Sequence, residues 1–113
     1  MTAKNTLLTA PPYAVDQSLK RLGANLRTAR LRRNLTIEDV AEKIGTGPRP
    51  VSDAEKGKPS TSTAVYVALL WAYDLLGQLD NVADPELDEH GLLLSLGRER
   101  TRAREKKGLD NEF

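Results

Sequence analysis

Residues 36–57 read TIEDVAEKIGTGPRPVSDAEKG, and no other stretch constrains the fold as tightly. Ile37, Val40, Ala41 and Ile44 recur at spacings of three and four, marking the inner face of a short helix. Thr36 precedes it as an N-cap, and Asp39 stands near the capping-box position, at the favourable end of the helix dipole. Gly45 closes that helix, because a left-handed stop costs glycine little. A second short helix is predicted to begin near Pro48 and end before Gly57, with Val51 and Ala54 inward. Proline suits a first turn, where its missing N–H has no partner in any case. The second proline disfavours helical angles at the residue before it, so the expectation is Arg49 at the cap and regular helix from Pro50. A helix that only packs has no use for so crowded a beginning.

The flanks supply the rest of a core. Val15, Leu19, Leu22, Leu26 and Ala29 form a helical stripe within a predicted helix from about Val15 to Arg33. Val65, Ala68, Leu69, Trp71, Ala72 and Leu75 hold most of the apolar mass of another, from about Ser62 to Leu75. A short helix around residues 77–82 follows, and no strand alternation or internal repeat is present. The predicted fold class is therefore all-α, a compact bundle of about five helices. Residues 1–12 read as a flexible arm ended by Pro11-Pro12, and residues 13–83 as the folded domain. Asp84-Pro85 opens a segment over 84–113, with Leu92, Leu93, Leu94 and Leu96 available to pack. After Gly97 the chain reads RERTRAREKKGLDNEF, nearly free of apolar residues, which predicts a frayed or disordered tail.

Composition narrows the function classes. A chain of 113 residues with 39% hydrophobic content buries one small core, and a partner subunit would add to it. Without cysteine there is no disulfide or thiolate metal site, which fits a cytoplasmic location. No apolar run reaches the roughly 18–20 residues of a membrane span, and the N-terminus lacks a signal-peptide layout. Catalysis is not expected: His90, the only histidine, has no ligand companion at i+3 or i+4, and no phosphate loop is spelled. Asp88 and Glu89 are adjacent, hence on different helical faces, and make no carboxylate pair. Neither a cofactor nor a metal is implied. Net charge is only +1, but its distribution is segmented. Residues 18–60 hold ten Lys/Arg against five Asp/Glu, 74–90 hold six acids and no Lys or Arg, and 98–107 hold six bases against two acids.

The stretch LGANLRTARLRRNLTIEDVAEKIGTGPRPVSDAEKGKP resembles the helix-turn-helix of the lambda-repressor/Cro (XRE) type. The likeness lies in Val40-Ala41, Ile44-Gly45, Val51 and the closing Glu55-x-Gly57-Lys58, and it covers roughly residues 19–76. It implies a homodimer that binds double-stranded DNA at a palindromic operator. Small Ala41 lets two helices cross closely, and Val51 docks the second helix with its N-terminal residues outward, as a major groove about 12 Å wide requires. Position then assigns roles. In this family an arginine of the first helix commonly pairs with a glutamate of the third, so the resemblance implies that Arg30 and Glu55 pair and orient the groove-reading helix, leaving Arg30 close to phosphate. Arg49 is the candidate base reader, because a guanidinium bonds guanine O6 and N7 together, with Pro50, Ser52 and Asp53 beside it. Arg27, Arg33, Thr46, Lys56 and Lys58 complete the expected phosphate contacts. Ile37 stands where the family usually has glutamine, and Gly47-Pro48 where it often has serine and arginine, which implies few direct base contacts.

The C-terminal half is similar to that of HipB-like antitoxins paired with HipA-type kinases. The features are the leucine-rich fourth helix, Val82-Ala83-Asp84-Pro85, the Asp88-Glu89-x-Gly91-Leu92 segment and the basic tail. That likeness implies an autorepressor that also binds and restrains a HipA-like kinase. Tyr66, Trp71 and Tyr73 cannot all share one inward face, so at least one is expected at a dimer contact. Two other readings stay open: a stand-alone phage-type regulator, and an interaction adaptor that has lost DNA binding.

Overall fold

A computed structural model describes the backbone of residues 5–111 and side-chain surroundings for residues 5–108. Residues 1–4 of the expected arm and 112–113 of the tail lie outside the described residues. All regular structure among the described residues is helical: α1 (Thr6–Thr9), α2 (Tyr13–Arg32), α3 (Ile37–Ile44), α4 (Pro48–Glu55), α5 (Thr63–Ala72), a 3-10 helix (Leu76–Asn81) and α6 (Glu89–Asn111). The fold is an all-helical bundle. It divides into two units, one ending at Leu76 and one beginning at Gly77.

In the first unit α2, α3, α4 and α5 pack around Leu26, Val40, Val51, Leu69 and Tyr73, each no more than 2% exposed. Tyr66 and Leu70 are buried beside them, and Ala29, Ala41, Ala54 and Ala72 complete the core, their small size letting short helices cross at close range. Local chemistry sets each boundary. Thr36 Oγ1 accepts from the Asp39 N–H at 3.0 Å while Asp39 Oδ2 accepts from the Thr36 N–H at 3.0 Å, a complete capping box at the start of α3. Gly45 ends α3 at φ +82°, and the Thr46 N–H returns to the Ala41 carbonyl at 2.9 Å. Ser62 caps α5, accepting from the Val65 N–H at 3.4 Å.

Four expectations are corrected. The arm over 1–12 contains a helical turn, with the Ala10 N–H bonded to the Thr6 carbonyl at 2.7 Å. The apolar stripe of α2 does not reach Val15, which is 41% exposed; full burial begins at Gly23, where α4 crosses. Helix α4 starts at Pro48 with Gly47 as its N-cap, so Arg49 is the second helical residue and not the cap. The preference against helical angles before proline is overridden by docking of Val51 and Ala54, both 0% exposed.

The fourth correction concerns the second unit. Residues 98–111, read as frayed or disordered, continue α6. Asp88 starts that helix, its Oδ1 accepting from the Gly91 N–H and its carbonyl from the Leu92 N–H, both at 3.0 Å. Arg, Glu, Lys, Leu and Ala then dominate, and these are strong helix formers however polar they are.

Candidate nucleic-acid interface

The site is built on how α4 is held. A Cβ placed on Gly23 would lie 2.5 Å from the Ala54 carbonyl oxygen, and one on Gly57 would lie 2.5 Å from the Leu19 carbonyl oxygen. Backbone therefore rests on backbone where α2 meets the end of α4, and Gly57 also adopts φ +69° to turn the chain away. Two turns further along α2, Arg30 grips the same helix. Its Nε donates to Glu55 Oε2 at 2.7 Å and its Nη2 to Glu55 Oε1 at 2.9 Å, a bidentate fork. Its Nη1 donates to the Leu35 carbonyl at 2.9 Å, so one buried guanidinium ties together α2, the loop before α3, and α4. The hydrogen bonds to Glu55 hold Arg30 even more firmly charged than usual.

The outer face of α4 is left for a ligand. Arg49 is exposed and makes no ion pair among the described residues. Pro48 and Pro50 have no N–H, so Arg49 carries the one amide of the first three helical positions. The end of α4 thus offers an anion few backbone donors, and the Arg49 side chain dominates its chemistry. A shallow groove beside it is lined by Ile37, Glu38, Pro48, Arg49, Ser52, Asp53, Lys56 and Lys58. Lys58 Nζ lies 3.1 Å from Asp53 Oδ1 on side chains 43% and 23% exposed, so both are partly committed to each other. Such exposed pairs are weak, worth about 0–1 kcal/mol, and a phosphate competes for the lysine.

The other expected residues divide clearly. Arg27, Lys56 and half-buried Thr46 and Lys58 remain accessible to solvent. Arg30 is 8% exposed with its donors spent inside the protein, so the expected phosphate contact is withdrawn and its structural pairing kept. Arg33 is exposed but partly committed. Its Nη1 donates to the Ala29 carbonyl at 2.9 Å and its Nη2 to the Tyr73 carbonyl at 2.8 Å, with the guanidinium 5.5 Å from the Tyr73 ring centre. Lys43 does similar work, donating to the Ala72 carbonyl at 3.2 Å, so two cations close the C-terminal end of α5. Tyr66 and Tyr73 are 7% and 0% exposed core residues and cannot meet a second subunit. Trp71 is 52% exposed, with Lys43 Nζ 5.6 Å from its ring centre.

Two ionisable groups carry physical consequences. Burial first, and then the nearby Glu55 charge, push the Tyr73 hydroxyl up to about 12, and that hydroxyl has no hydrogen-bond partner. The Thr36 N–H and hydroxyl lower the Asp39 carboxyl, stabilising its charged form at the helix start. Sequence reasoning missed Gly23 and Lys43, and used Gly57 only as the end of α4. A glycine at mid-helix was the available signal for Gly23, because it costs helix stability unless another backbone needs the room.

Geometry of this kind defines a class: two short helices at a tight turn, the second buried along one side and presenting its first turn outward. The helix-turn-helix domain family matches residues 21–81, more than half of the chain, and the protein belongs to that family. It is the domain of DNA-binding regulators, typically without enzymatic activity. No curated protein and no solved structure matches the chain. No helix among the described residues is long and apolar enough to cross a membrane.

Proposed function

We propose that this protein is a sequence-specific transcriptional autorepressor and the antitoxin of a type II toxin–antitoxin pair. The observation that carries the DNA-binding part is the exposed, unpaired Arg49 on a helix locked by the Arg30–Glu55 fork. In this reading Arg49 reads a base edge with Pro50, Ser52 and Asp53 beside it, and Arg27, Arg33, Thr46, Lys56 and Lys58 contact phosphate. Residues 13–83 bind DNA and 84–113 engage the partner. Two copies occupy a palindromic operator, since one module covers only a few base pairs. Trp71 is the one aromatic of three with the exposure a subunit contact needs.

The kinase half of the proposal rests on the likeness of the C-terminal segment to HipB-like proteins. The protein then works in the cytoplasm, at the nucleoid when on its operator, and restrains a HipA-like serine/threonine kinase. Pull-down of the full chain from its native host, identifying both protein and nucleic acid, tests both halves. Recovery of a kinase with DNA supports the antitoxin; DNA alone supports a stand-alone regulator. A third reading, an adaptor without DNA binding, draws on Pro48 and Pro50 and on the acids Glu38 and Asp53 in the groove. Recovery of protein without DNA, and no shift of the protein's own upstream region at low salt, favours it.

A further inference from the structure

Helix α6 carries an exposed apolar face: Leu92, Leu93 and Leu96 are 56%, 67% and 40% exposed. Positions 89, 93, 96, 100, 103 and 107 recur at alternating spacings of four and three, the pattern that keeps one seam of a helix turned toward a partner helix. The seam reads Glu89, Leu93, Leu96, Arg100, Ala103, Lys107: acidic, then apolar, then basic.

We propose that α6 pairs antiparallel with α6 of a second copy of this chain, the two-fold axis passing between Leu94 and Ser95. In that register Leu93 faces the partner's Leu96, and Glu89 faces the partner's Arg100. Charge order selects the arrangement. Residues 84–89 hold Asp84, Glu86, Asp88 and Glu89, while 98–104 hold Arg98, Arg100, Arg102 and Arg104 against one acid, Glu99. In this register the two helices overlap over residues 89–100, with Asp84, Glu86 and Asp88 just before the helix. Antiparallel pairing sets Glu89 against the partner's Arg100, whereas in-register parallel pairing would set Glu89 and Arg100 each against its own like. The contact is self-complementary, as a two-fold interface requires. A partner also accounts for the helix itself, because Gly91, Gly97 and Gly108 weaken it and an exposed helix gains most of its stability from packing.

The inference supplies the interface for the homodimer proposed above, and rests on that reading only for the dimer. Sedimentation equilibrium of the full chain without DNA tests it. The wild type is expected to be dimeric, with Leu93→Glu combined with Leu96→Glu weakening the dimer about a hundredfold or more. Glu89→Arg and Arg100→Glu are each expected to weaken it about tenfold, and the two together to return it to within about threefold of wild type. Glu89 opens α6, so circular dichroism of each variant checks that the helix persists before the affinities are compared. A wild-type monomer at about 100 μM overturns the proposal. So does a dimer indifferent to these changes but lost on Trp71→Ala, or a double exchange weaker than either single one. A dimer that fits this pattern yet shifts no DNA supports the pairing and removes the regulator reading, so the two fail separately.

Discussion

At the residue scale, the groups that hold the site in place find their partners inside the chain. Glu55→Ala leaves the Arg30 guanidinium buried without its carboxylate, and removing one partner of a buried pair costs about 3–5 kcal/mol. Chemical denaturation of that variant is expected to show this loss, while Glu42→Ala, exposed on α3, stays within about 0.5 kcal/mol of wild type. Tyr73 gives a prediction with a pH sign. Its hydroxyl binds the proton more tightly folded than unfolded, so its effect is fully present below about pH 10 and stability falls as pH rises toward 12. Tyr73→Phe removes both that loss and an unpaired buried hydroxyl. Its melting temperature is expected to equal or exceed wild type at pH 7, and to fall less steeply between pH 10 and pH 12.

At the element scale, α4 is positioned by backbone contact as much as by side chains. Gly23→Ala drives a methyl into the Ala54 carbonyl and is expected to destabilise by about 1–3 kcal/mol, although alanine is the better helix former. Gly47→Ala meets nothing within 4 Å and loses only a favourable N-cap, so it is the control and is expected to cost about 1 kcal/mol or less. A gain in stability for Gly23→Ala in thermal melts would show that the crossing is looser than described. These elements also show what the sequence made legible. The α3–turn–α4 unit was readable because cap, apolar spacing and glycine stop all agree, and Val40, Ala41, Val51 and Ala54 are buried where periodicity put them. The two prolines misled at the start of α4, since a local dihedral preference was weighed without the packing that overrides it. Residues 98–111 misled for the opposite reason: polarity was taken for disorder, while Arg, Glu and Lys are strong helix formers and continue α6. Arg33 is exposed, and nothing in a linear sequence announces that two of its donors are spent on the carbonyls of Ala29 and Tyr73.

At the scale of the whole molecule, charge is segmented along the chain. Net charge is +1, yet bases outnumber acids two to one over residues 18–60. DNA binding should therefore be salt-dependent through a few lysines and arginines and not through a general positive field. Lys56→Ala is expected to weaken binding uniformly across sequences and to reduce the slope of log K against log salt by about one. Arg49→Ala is expected to differ in kind, because a base reader affects which sequence is bound. The most direct measurement is fluorescence anisotropy of the full chain on its own upstream region and on a scrambled duplex, with Arg49→Ala alongside. The account predicts salt-sensitive preference for the upstream region, reduced by about 1–3 kcal/mol in Arg49→Ala while scrambled DNA is bound nearly as before. Equal affinity of wild type and Arg49→Ala for both duplexes, or no binding at low salt, would contradict it.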